Sequence, residues 1–201
     1  VRMIAHHAGI SMGFYGTSHH ATEDLSILRA MPNVTIICPA DGNATDSAIR
    51  ATVDLDGPIY FRVGRGKSDR VYDSPPEFRL GKANLLREGH DLTVIANGIL
   101  VGPALQAAQD LAEEGVSLRV LDMQAIKPFD DEAVLAAARE TGGILTVEEH
   151  NIIGGLGTCV ADVLADNGVA TKLRRHGIKD EYVLVGPPLA LYAHYGLDRV
   201  G

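Results

Sequence analysis

"HHAGISMGFYGTSHHATED", residues 6–24, gathers four of the chain's eight histidines around Gly9, Gly13 and Gly16. Before it stands "RMIAH", a short apolar segment with the look of a strand. After it, "ATEDLSILRAM" places Leu25, Leu28 and Met31 on one helical face, with Glu23 and Asp24 where a helix dipole favours acid. The stretch is therefore a strand-to-helix crossover loop. Open parallel sheets put their ligand sites where such loops leave the carboxyl ends of strands. His7 stands at the strand's end and His19 just before the helix, where a neutral imidazole can exchange a proton near neutral pH. The plain alternative is that His6 and His20 pack or face solvent, and that His7 and His19 are ordinary polar loop residues.

Working outward, "NVTIICPA" is a continuous apolar run suited to a strand buried on both faces, residues 42–55 have helical character, and "PIYFRV" is the next strand. Residues 67–78, within "GKSDRVYDSPPEF", are polar, carry a proline pair and show neither period, as a linker would. Beyond it the alternation restarts. The strands are "DLTVIAN", "SLRVLDM", "GILTVEEH" and "TKLRRHGI", and the helices between them are "PALQAAQDLAEEG", "DDEAVLAAARETG" and "GGLGTCVADVLADNG". Strands separated by helices of this length require crossovers and give a mostly parallel sheet. The expected fold is α/β, in two units of unequal completeness: 1–66, a linker at 67–78, and 79–201.

Size and composition set the outer limits. The chain has 201 residues, 46% hydrophobic and 22% charged, as in ordinary globular proteins. A net charge of −8 argues against a nucleic-acid surface. No apolar run reaches membrane-spanning length, and the two cysteines, Cys38 and Cys159, sit in apolar settings far apart. A cytoplasmic protein with two buried thiols is expected. The chain opens inside a strand without a Met and stops, at "HYGLDRVG", where a further helix is expected to begin. It is accordingly expected to be part of a longer or two-subunit protein.

Two further groups could carry chemistry. In "GPIYFRVGRGK", Arg62 and Arg65 flank Gly64 at a strand's carboxyl end, where a guanidinium can grip a phosphate or carboxylate. The alternative is a surface arginine pair. In "TVEEHNIIGGLGTCVADVL", the Glu148-Glu149-His150 group lacks a metal-ligand partner at plausible spacing, so no metal is assigned. "GGLG" lacks the spacing of a dinucleotide fingerprint and suits close packing of a helix on a sheet.

Taken together, "HHAGISMGFYGTSHHATEDLSILRAMPNVTIICPADG", "DGPIYFRVGRG" and "VLDMQAIKPFD…TVEEHNIIGGLGTCVADVLAD" occur in the order and spacing of the transketolase family. The chain resembles the latter half of that family's pyrimidine-binding domain followed by its Rossmann-like carboxyl-terminal domain, as in the smaller subunit of a split enzyme. The resemblance implies an enzyme that uses thiamine diphosphate with Mg2+ or Ca2+ to transfer a two-carbon ketol unit between sugar phosphates. The protein's part in such chemistry is orientation and proton transfer. Carried over by position, His19 resembles the catalytic histidine beside the donor's first hydroxyls. His7 resembles the histidine that helps hold the substrate phosphate, and Arg65 its arginine partner. Tyr15 stands where the family pattern has an Asp that contacts a substrate hydroxyl, which implies a smaller or unusual acceptor. The resemblance places the metal and diphosphate ligands and the activating glutamate outside this segment. The implied partners are a diphosphate-binding domain or subunit and a second copy of the functional unit, in a dimer. Deoxyxylulose-phosphate synthases and 2-oxo-acid dehydrogenase β subunits share the architecture. Tyr15 speaks against the first and the His7-to-His19 loop against the second. A non-catalytic scaffold is the reading from another class.

Overall fold

The computed structural model describes residues 1–65 and 69–201. Gly66, Lys67 and Ser68, where the expected linker begins, lie outside the described residues. The described chain forms two sheets. The first has the order β1-β3-β2-β7, from Arg2–Ala5, Ile59–Arg62, Thr35–Ile37 and Ala125–Lys127. Its first three strands are parallel, and β7 runs antiparallel to β2. The second has the order β4-β6-β5-β8-β9, from Asn84–Arg87, Leu118–Asp122, Leu92–Ala96, Ile144–Asn151 and Leu173–Ile178. Here β4 is antiparallel and the rest are parallel. This is the mostly parallel α/β fold that the alternation predicts.

The helices are α1 (Asp24–Arg29), α2 (Gly42–Ala51), α3 (Val101–Glu113), α4 (Asp131–Glu140), α5 (Leu156–Asp166) and α6 (Pro188–His194). Asp41 caps α2 by accepting from Ala44 N–H, and its other oxygen accepts from Val71 and Tyr72 N–H at 2.8 and 2.9 Å. The chain just after the undescribed residues is thereby tied to the first sheet's helix. Phe78 is also buried, against Ile37, Ala48, Ile59 and Phe61. Asp130 caps α4 in the same manner, through Ala133 N–H.

Four elements differ from the sequence expectation. The first helix is confined to Asp24–Arg29, and no side-chain oxygen caps its start. The short β4 and β7 were not expected; three or four residues show no periodicity, and both pair with strands distant in sequence. Helix α6 was also unexpected. The final residues turn back towards α3: Gly196 has φ +63°, and Arg199 pairs with Asp110 of α3 at 2.6 and 2.8 Å.

The largest apolar core joins the two sheets. Leu25, Ile36, Cys38 and Tyr60 from the first half pack in one cluster with Ile95, Leu121, Met123, Leu156 and Val160 from the second. Both cysteines are buried and free. No helix among the described residues is long and apolar enough to cross a membrane.

Candidate active site

The carboxyl ends of β1 and β3 lie side by side, with Ala5 paired to Arg62. The alignment continues past the strands: Ala8 N–H donates to the Val63 carbonyl at 3.1 Å. His7 and Arg65 thus leave adjacent strands at the same end of the sheet. His7 adopts φ +68°, a conformation that non-glycine residues hold only when their surroundings impose it. Its partial desolvation, the adjoining His6 imidazole and the Arg65 guanidinium together lower its pKa. His7 is therefore a neutral donor or acceptor next to a permanent cation, a pairing suited to an oxyanion.

The loop that follows closes at its base, where Ala21 N–H donates to the Gly9 carbonyl at 2.9 Å. Gly13 opens a single 3-10 turn, Gly13–Tyr15, and only glycine fits there, since a Cβ would fall 2.3 Å from the Gly186 carbonyl. Gly16 reverses the chain at φ +73°, and its carbonyl accepts from His19 N–H at 2.9 Å. Ser11, Gly13 and Gly16 face inward, leaving Phe14, Tyr15, Ser18 and His19 at the surface. The Tyr15 and His19 rings are 5.1 Å apart between centroids, tilted by 40°. Ser18 Oγ meets His19 Nδ1 at 3.0 Å, and Nε2 of this exposed residue has no hydrogen-bond partner among the described residues. An imidazole held through one nitrogen and open at the other can pass a proton to a bound molecule.

The structure therefore brings His7 and Arg65 together at the strand ends and Tyr15 and His19 together at the loop tip. Arg62 is not with them. Its side chain is buried and bonded internally: Nε donates to Asp24 Oδ2 at 2.9 Å, and Nη2 donates to the carbonyls of Ala21 and Glu149 at 2.7 and 2.8 Å. The expectation of paired arginines at the strand end is corrected on this point, because β3 is covered on both faces and position 62 points into the core.

The Glu148-Glu149-His150 group is wholly buried at the end of β8. Glu148 accepts from Leu156 and Gly157 N–H at 2.6 and 2.8 Å, satisfying the start of α5 with its carboxylate. A Cβ on Gly155 would fall 1.9 Å from that carboxylate, so "GGLG" serves close packing. Glu149 reaches the candidate loop, accepting from Ile10 N–H at 2.8 Å and from the Tyr192 hydroxyl. Sequence reasoning missed that contact. The signal was a run of three ionisable residues, Glu148 to His150, at the end of a strand that begins apolar. Among the described residues no group of three or more His, Cys, Asp or Glu is placed to hold a metal ion.

Two parallel-rich sheets, with polar loops at the strands' carboxyl ends, define the α/β class in which ligand sites form beyond those ends. Residues 1–69 match the transketolase pyrimidine-binding domain and residues 81–200 the transketolase carboxyl-terminal domain. The chain belongs to the transketolase family. It is 44% identical to one of the subunits of apulose-4-phosphate transketolase from Phocaeicola vulgatus, over all of this chain and 64% of that protein. It is 41% identical to the 6-deoxy-6-sulfo-D-fructose transketolase subunit SqwH from Clostridium sp. (strain MSTE9), over 98% of this chain and 61% of that one. Among solved structures, a split-gene transketolase described as an inactive β4 tetramer superposes with a TM-score of 0.87 at 38% identity. That match covers 99% of this chain and 62% of the other. The chain thus spans less than two thirds of these relatives.

Proposed function

We propose that the chain is one part of a thiamine-diphosphate-dependent transferase that moves a two-carbon ketol unit between sugar phosphates. Its partner would be a diphosphate-binding domain or subunit, and the functional unit would pair as a dimer in the cytoplasm. The observation that carries the reading is the Tyr15–His19 pair at the tip of a loop anchored beside the carboxyl ends of β1 and β3. The free cysteines agree with a reducing compartment. The division into units 1–66 and 79–201, linked through 67–78, belongs to the same proposal and is supported by the two family matches.

The described residues suit only one end of such a cofactor. Among them no three His, Cys, Asp or Glu side chains are grouped to hold a metal ion. An outward imidazole beside a phenol, however, suits the reacting end. When bound, thiamine diphosphate supplies the carbanion chemistry. The chain's residues have narrower tasks. His19 Nε2 gives or takes the proton of a substrate hydroxyl. The His7 imidazole and Arg65 guanidinium bind the distal phosphate. Tyr15, a neutral donor in place of a carboxylate, selects a sugar other than the ordinary pentose phosphates. The test is reconstitution with the diphosphate-binding partner: His19→Ala should lower turnover by roughly a hundredfold or more with its melting curve unchanged. Full turnover in that variant would refute the catalytic role.

A further inference from the structure

We propose that Glu149 is a positioning residue, holding the His7-to-His19 loop in place from the opposite sheet. The inference rests on the functional reading only in taking that loop as the site. Glu149 stands 139 residues from Ile10 in sequence, yet its Oε1 accepts the Ile10 amide proton at 2.8 Å. Both residues are buried. The Tyr192 hydroxyl donates to the same oxygen, and so fixes the carboxylate from the α6 side. The fit around it is close. Gly9 has φ +56°, and a Cβ there would fall 2.1 Å from Glu149 Cδ, so the loop's first turn is moulded on this side chain. The return side of the loop is held from the same point. Arg62 bridges the Glu149 and Ala21 carbonyls, and Asn151 N–H donates to the Thr22 carbonyl at 2.8 Å.

The chemistry of position 149 points beyond packing. Glu148, its neighbour, uses both oxygens to satisfy a helix start. Glu149 Oε2 has no hydrogen-bond partner among the described residues, although it is buried. A carboxylate buried with one oxygen unpaired is an expensive way to fill space, since an apolar side chain would pack there at lower cost. What it supplies, and an apolar residue does not, is an acceptor for the Ile10 N–H at the root of the loop.

Amide hydrogen exchange and imidazole resonances, measured by NMR on the full chain, test this without any cofactor. Glu149→Ala should speed exchange at Ile10 at least tenfold and shift the His7 and His19 imidazole signals, assigned through His7→Gln and His19→Gln. Glu149→Gln keeps a carbonyl acceptor in place and should restore Ile10 protection to near that of the parent. Glu148→Gln, equally buried, should lower the melting temperature and leave the His7 and His19 signals where they are. Tyr192→Phe, a mild change that should preserve the fold, should shift the Ile10 amide resonance even if Glu149→Ala does not fold. Unchanged Ile10 exchange and imidazole signals in Glu149→Ala, an unmoved Ile10 resonance in Tyr192→Phe, or equal movement in Glu148→Gln would overturn the proposal. A loosened loop in an enzyme whose His19→Ala variant keeps full turnover would confirm the hold and refute the catalytic reading, so the two failures are distinguishable.

Discussion

Arg62 Nε lies 2.9 Å from Asp24 Oδ2, and the two side chains retain only 3% and 15% of their accessible surface. The pair joins β3 to α1 beneath the candidate loop, and Tyr60 donates its hydroxyl to the same carboxylate oxygen at 2.7 Å. Burial disfavours the Asp24 charge, but Arg62 and the Tyr60 hydroxyl outweigh it and hold the carboxyl below its usual range.

Removing one member of this pair leaves the other charge buried and unpaired. Arg62→Ala should destabilise the chain by about 3–5 kcal/mol, measured by urea unfolding. Arg62→Lys should not rescue it, because an ammonium cannot reach Asp24 and both the Ala21 and Glu149 carbonyls in the guanidinium's geometry. A loss below about 1 kcal/mol for Arg62→Ala would contradict the buried-pair account.

His150 supplies a pH dependence of known sign. Burial, reinforced by Arg62, pushes its pKa from 6.5 down to about 4. The folded chain therefore binds fewer protons than the unfolded chain between those values. This contribution is complete above pH 6.5 and is lost as the pH falls towards 4, by up to about 3 kcal/mol. Glu149, raised to about 7 by burial, works in the opposite sense: its contribution is greatest below its unfolded value of 4.5 and declines as the pH rises towards 7. The two are separated by substitution. Stability curves of His150→Asn against the parent should diverge most at neutral pH and converge towards pH 4. A constant difference across that interval would show that His150 does not titrate with folding.

Arg65 and Tyr15 should affect the reconstituted enzyme differently. Arg65→Ala should raise KM for phosphorylated sugars about tenfold and leave kcat nearly unchanged, as expected when binding common to ground and transition states is removed. Tyr15→Asp should shift preference towards ordinary ketose phosphates. Steady-state kinetics on a small panel of sugar phosphates, with melting curves as the folding control, check both. A Tyr15→Asp variant with unaltered preference would show that position 15 does not select the sugar.

The α/β class, the order of the principal strands and helices, and the crossover loop at residues 6–24 were all legible in the residues themselves. Their causes are local: a period of two or 3.6, and glycines at turns. Local pattern could not show that Ala125–Lys127 leaves its own unit to close the first sheet, because three residues carry no period and the pairing is long-range. Nor could it separate Arg62 from Arg65. The two stand three residues apart in one strand end, yet only tertiary packing makes the first a buried bridge to Asp24 and leaves the second exposed beside His7. Glu149 makes the same point most sharply. As a residue type it resembles its neighbour Glu148, and its contact with Ile10 exists only because the two sheets share one core. The sequence by itself settled the principal strands and helices and where polar loops emerge; the packing of one sheet against the other decided which short segments pair and which charged groups are buried as ties or left exposed.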